Sequence, residues 1–235
     1  MSFNPYEFDR SYRVEGDYPF GLYMSNVFLW MFLGLMITFG VAIGAWMSGV
    51  ALVVLSFGGF LGITIAQFVS VIALSAFVER LSVGAARGWF VAYSVLTGLT
   101  VSVNLYVFEL GSLVFVFLIT ALFFGALGLY GHRTQSDLSG LRPYLISGLV
   151  VLIVYGIISI FIPMGVADVA MTLVGVLLFL AFTAYDVQRS RYFYEAYRHN
   201  HAMLEKVAIY SALQLYLDFI NLFLRLLSYL GKRRD

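Results

Sequence analysis

Apolar residues recur along the chain in runs of about 20, the length at which a helix crosses the hydrocarbon of a bilayer. The runs predict seven spans, at 25–47, 51–78, 89–108, 111–130, 143–162, 168–188 and 207–230. Short polar clusters separate them. "MSGV" and "IPMGVAD" read as tight turns, and the longest expected connection, 189–206, leaves no room for an inserted soluble domain. The expected fold is an all-α integral membrane protein of seven transmembrane helices. A polar tail (1–24) precedes the seven-helix domain (25–231), and a basic tail (232–235) follows it. The first tail lacks the basic start, apolar core and small-residue cleavage site of a secretory signal.

The polar positions inside the runs carry more information than the runs themselves, because a polar group in lipid is costly without a partner. In the last span Ser211, Gln214, Asp218, Asn221 and Arg225 follow one another at spacings of 3, 4, 3 and 4. At 3.6 residues per turn they share one narrow face. That face cannot point at lipid, so the last helix is expected to be central, with the others wrapped around it. Tyr93, Thr97, Thr100 and Asn104 repeat the pattern in the third span, and Gln67 with Ser70 or Ser75 adds groups from the second. These residues would line a narrow polar interior, or would serve as hydrogen bonds between packed helices.

Composition fixes the solvent. Of 235 residues, 61% are hydrophobic and 11% charged, less than half the roughly 25% charge of ordinary soluble domains. The bilayer is therefore the first partner. A net charge of +1 argues against nucleic acid, and the lack of Cys excludes thiol chemistry. With the N-terminus inside, ten Lys or Arg collect on the cytoplasmic side against the three of the basic tail, which favours that orientation. If one span were a re-entrant hairpin, the tail would also lie inside.

An Asp at the centre of a span costs about 2.5–3.5 kcal/mol on insertion scales, so Asp218 needs a partner. Arg225 lies two turns away, about 10 Å by helical rise, too far for a direct pair. Asp186, near the cytoplasmic end of the sixth span, is the natural candidate; alternatively it is a solvated helix-end residue. Two carboxyls within hydrogen-bonding distance cannot both ionise cheaply, so they share a proton and titrate as a unit. Ionised, they offer oxygen ligands to a hard cation such as Ca²⁺. Arg80, beside Glu79 at the end of the second span, is a candidate partner for a carboxylate. His199 and His201 read as solvated loop residues, and the small-residue pattern "GVAIG" (40–44) is expected by chance in a chain with 22 Gly.

"GVLLFLAFTAYDVQRSR" (175–191) and "ALQLYLDFINLFLRLLSYLG" (212–231) resemble the Bax inhibitor family of membrane proteins, its bacterial members in particular. "IAQFVSVIALSAFVERLSVG" (65–84), "YSVLTGLTVS" (93–102) and "FGALGLYGHRTQSDLSG" (124–140) are similar to the same family's second to fourth spans. The resemblance implies seven helices with the last enclosed. It also implies a pH-sensitive calcium leak in which two aspartates, here Asp186 and Asp218, form a hydrogen-bonded pair. The family places a basic residue on the second helix as a latch, for which Arg80 is the nearest match. Gln67 stands where family members carry an acid.

Three functions follow as expectations. The first is a pH-gated, calcium-permeable leak of a bacterial inner membrane, without a cofactor and not an enzyme, with Ca²⁺ as the permeant ion. The second is a regulatory protein that binds a membrane quality-control protease or another stress-response partner through the N-terminal tail and the 189–206 segment. The third is an intramembrane aspartyl protease. It is disfavoured because Asp218 sits in "LYLDFIN", a bulky helical context with no Gly to give a substrate backbone access.

Overall fold

The computed structural model describes residues 18–77, 80–134, 136–162 and 165–234, without the side chains of Phe57, Phe60, Leu74, Ser75 and Ile160. Its helices are α1 (Phe20–Met47), α2 (Val50–Leu55), α3 (Phe57–Phe77), α4 (Val83–Ser102), α5 (Asn104–Val107), α6 (Leu110–Arg133), α7 (Arg142–Phe161), α8 (Val166–Tyr197) and α9 (His201–Leu230). Among the described residues there is no strand beyond an isolated bridge between Phe108 and Arg233.

Six of the seven expected spans are helices long and apolar enough to cross a membrane. The remaining one, 51–78, is divided at Ser56, and its apolar stretch, Leu61–Ala73, is shorter. Ser56 takes an extended conformation, and its hydroxyl accepts the Gly59 N–H at 3.2 Å. This is the exchange of backbone for side-chain partners that starts a helix. Gly59 is required there, since a Cβ would stand 2.3 Å from the Val53 carbonyl oxygen.

Other boundaries move as well. α1 begins right after Pro19, so Phe20–Met24 belong to the helix and not to the expected tail. α8 runs on to Tyr197, so most of the expected 189–206 connection is helical, and only 198–200 separate it from α9. Asn200 closes that turn by accepting the Met203 N–H at 3.0 Å. The turns read in "MSGV" and "IPMGVAD" fall at Gly49 and Gly165, whose φ values of 78° and 58° suit glycine.

α9 is the most enclosed helix, as expected of the last one. α1, α4, α6 and α8 pack around it, α3 lies outside against α4, and α7 lies outside against α8. Lipid tails are as apolar as Leu, so these contacts rest on close packing and hydrogen bonds rather than on escape from water. Gly131 of α6 meets α8 so closely that a Cβ would come 2.4 Å from the Ala184 carbonyl oxygen. The "GVAIG" glycines, Gly40 and Gly44, face open space.

The bundle has two unlike ends. At one, Arg87 pairs with Glu205 at 3.0 Å, Arg191 donates to the His132 carbonyl at 3.0 Å, and Tyr194 donates to the Tyr18 carbonyl at 2.7 Å. At the other, the expected basic tail is docked. Glu109 N–H donates to the Lys232 carbonyl at 3.0 Å and Arg234 N–H to the Val107 carbonyl at 2.9 Å. Lys232 Nζ pairs with Glu109 Oε1 at 2.6 Å, and the Arg234 guanidinium lies 5.5 Å from the Trp46 ring centre.

Candidate functional site

A cavity of about 520 Å³ lies between α3, α4, α7, α8 and α9. Its polar lining includes Gln67, Tyr93, Asp186, Gln214, Asp218 and Asn221, with Arg142 and Arg189 toward the first end. Asp186 and Asp218 are only 6% and 4% exposed, and the two are neighbours on the wall of this cavity. A hydrogen bond between these two carboxyls would require that one carry a proton. Asp218 Oδ2 is buried with no hydrogen-bond partner among the described residues. A shared proton, or a guest in the cavity, is what remains to satisfy it.

Both acids sit where their helices are firmly held. The Gly131 contact presses α6 on the turn of α8 just before Asp186. One turn on, the Ser190 hydroxyl donates back to the Asp186 carbonyl at 2.9 Å. Asp218 lies in the middle of α9, with the fully buried Leu215 and Leu222 one turn before and after it and Tyr216, also fully buried, on the opposite flank. Three residues after Asp186, Arg189 brings Nη1 to 4.0 Å from Asp186 Oδ1, and its guanidinium lies over the Phe193 ring at 5.1 Å. The first-end loop is lashed to α8 beside this site. Leu138 N–H donates to Gln188 Oε1, and Gln188 Nε2 donates to the Ser136 carbonyl, each at 2.8 Å.

The profile of the family described as inhibitor of apoptosis-promoting Bax1 matches residues 22–235. The chain belongs to the Bax inhibitor family. It is 39% identical over 218 residues to the inner membrane protein YbhL of Escherichia coli, covering 90% of this chain and 92% of that one. A Borreliella burgdorferi protein is 34% identical over 215 residues, covering 91% and 93%. A Deinococcus radiodurans protein is 35% identical over 221 residues, covering 91% of each chain.

Within this family member, the residues expected to line a polar path divide into two groups. Gln67, Tyr93, Gln214 and Asn221 reach the cavity with the two aspartates. Thr97, Thr100, Asn104, Ser211 and Arg225 are not among its described lining. Gln67 Nε2 donates to Thr97 Oγ1 at 3.1 Å, and Thr100 Oγ1 donates to Gln67 Oε1 at 3.3 Å, so these residues clasp α3 to α4. Asn104 Nδ2 donates one turn back to the Val101 carbonyl at 3.4 Å. Ser211 meets the Tyr23 hydroxyl at 3.1 Å, and Arg225 lies along the bare backbone of Gly175. Ser70 is buried, while the Ser75 side chain and Glu79 fall outside the described residues.

Arg80 is exposed and is not among the residues lining the cavity. The cations near the acids are Arg189 and Arg142, neither of which stood out in the sequence. The signal for Arg189 was present as the i, i+3 spacing from Asp186 in "YDVQR", a distance at which helical side chains meet. His201 is exposed, with Nδ1 3.5 Å from Glu205 Oε1. Among the described residues there is no group of three or more metal-binding side chains.

Proposed function

We propose that this chain is a pH-responsive, calcium-permeable leak of the bacterial inner membrane, N-terminus inside, gated by a proton shared between Asp186 and Asp218. The observation that carries the reading is that two buried, neighbouring carboxyls line one cavity among helices long and apolar enough to cross a membrane. With one proton between them, the carboxyls bond and hold α8 against α9. Losing it sets two like charges side by side and drives the helices apart. The α3 helix serves as the seventh crossing in this reading. The excess of Arg at the first end, carried by the α3–α4, α6–α7 and α8–α9 connections, supports a cytoplasmic placement of that end.

Magnitudes limit the gate. One pKa unit corresponds to about 1.4 kcal/mol, whereas moving an equilibrium from 1:99 to 99:1 takes about 5.5 kcal/mol. A single pair therefore tips a closely balanced bundle instead of overpowering a stable one. Calcium takes roughly 6–8 oxygen ligands, far more than two carboxyls supply, which favours passage over storage. The α9 helix is continuous through Asp218, and that continuity speaks against proteolysis.

The test is Ca²⁺ flux into proteoliposomes across about pH 6 to 8, comparing the wild type with Asp186→Asn and Asp218→Asn. Flux that responds to pH in the wild type and in neither variant is the expected result. No wild-type flux at any pH, with all three proteins folded, removes the leak and turns attention to a binding partner.

A further inference from the structure

The cavity has an apolar flank that ion passage does not use. Among the described residues α3 and α7 make no extended contact with each other, since each leans on a different inner helix. The slot between them is walled by Phe68 and Val71 from α3 and by Ile146, Leu149 and Ile153 from α7. On either side of it, Ile65, Ile72 and Ile157 are more than half exposed on faces that meet lipid. The slot is thus a lateral opening between the bilayer and the cavity.

One end of this opening is basic. Arg142, the first residue of α7, is exposed, lines the cavity and makes no ion pair among the described residues. Arg189 lines the same end, with only the 4.0 Å contact to Asp186 opposite its charge. If the two carboxyls share a proton they carry one negative charge against two guanidiniums, so the mouth is left cationic. Guanidinium forks suit phosphate oxygens, and basic pockets between membrane helices hold lipid headgroups. A free phosphate would leave the five apolar wall residues without a role. The volume of about 520 Å³ lies in the roughly 300–1,000 Å³ range of small-ligand sites, less than a helix about 10 Å across and several turns long would fill.

We propose that the slot holds one anionic phospholipid of the surrounding bilayer. Its phosphate lies between Arg142 and Arg189, and one acyl chain runs between α3 and α7 toward Ile153. The lipid closes the lateral opening beside the acids. This site stands whether or not the carboxyl pair passes ions.

Native mass spectrometry of the full chain, offered phosphatidylglycerol and phosphatidylcholine with identical acyl chains, tests it. One retained phosphatidylglycerol per chain, in preference to phosphatidylcholine, is expected. Arg142→Gln should weaken that retention roughly fivefold, the equivalent of about 1 kcal/mol for one basic residue near a lipid phosphate. Leu149→Trp should block the chain while leaving both arginines in place. If that variant loses helix content by circular dichroism, Ile153→Trp, one turn along the same wall, replaces it. Equal retention of the two lipids, or retention unchanged in Arg142→Gln, overturns the proposal. So does displacement of the lipid by millimolar inorganic phosphate, which would reduce the site to a free-anion site.

Discussion

Two residues apart on α9, Tyr216 and Asp218 face opposite flanks of the same helix and meet opposite fates. Tyr216 is fully buried, and its hydroxyl bonds Thr38 Oγ1, which itself donates to the Ser94 carbonyl at 3.0 Å. That cluster joins α1, α4 and α9 with its polar atoms satisfied. Asp218 is equally buried, yet one of its oxygens lacks a partner and its neighbour is another acid. Buried polar groups are normally paired, so the satisfied cluster has the form of a structural rivet. The unsatisfied one leaves an acceptor oxygen open at the edge of the cavity.

The contrast breaks most sharply at Asp218. Asp218→Asn fixes the proton count while supplying an amide N–H that a neighbouring carboxylate such as Asp186 can accept. The fold should persist and the pH response of Ca²⁺ flux should vanish; a response kept intact in this variant would place the switch elsewhere. Gly131→Leu should come next. It drives a side chain into the Ala184 carbonyl, costs about 1–3 kcal/mol as overpacking, and displaces the turn that carries Asp186. Thermal unfolding and flux should both change.

Tyr216→Phe should cost about 1 kcal/mol, the usual worth of a buried hydrogen bond. It should lower the melting temperature and leave the pH response as it was. If the response changed instead, the two flanks of α9 would be coupled.

The smallest effect is expected at Asp137, outside the membrane. The Ser139 backbone N–H and hydroxyl, each at 2.9 Å, stabilise its charged form and hold the carboxyl below the usual range. A depressed carboxyl contributes above its unfolded value of about 3.9 and stops contributing only as pH falls through the lower folded value. Asp137→Asn should therefore leave flux between about pH 6 and 8 untouched.

The α9 stripe was legible because spacings of 3 and 4 on an otherwise apolar helix have one physical meaning, an enclosed face. What the stripe could not tell was which of its members share a compartment. Ser211 and Arg225 lie on the same nominal face as Asp218, yet one meets Tyr23 of α1 and the other lies on Gly175 of α8. Those destinations depend on which neighbour passes at each depth. The break at Ser56 was hidden because "VVLSFGGFLG" keeps its apolar character through the turn. The cation beside the acids was sought at Arg80 since a resemblance pointed to the second helix, whereas helical spacing alone pointed to Arg189.

The docked C-terminus constrains how α9 moves. An axial slide of this helix, as of a piston, would break two backbone hydrogen bonds and the Lys232–Glu109 ion pair together. A tilt hinged at Gly231 breaks none of them and sweeps Asp218 sideways across α8. Any swing of α9 would therefore pivot about its docked end, as a lever about a fulcrum.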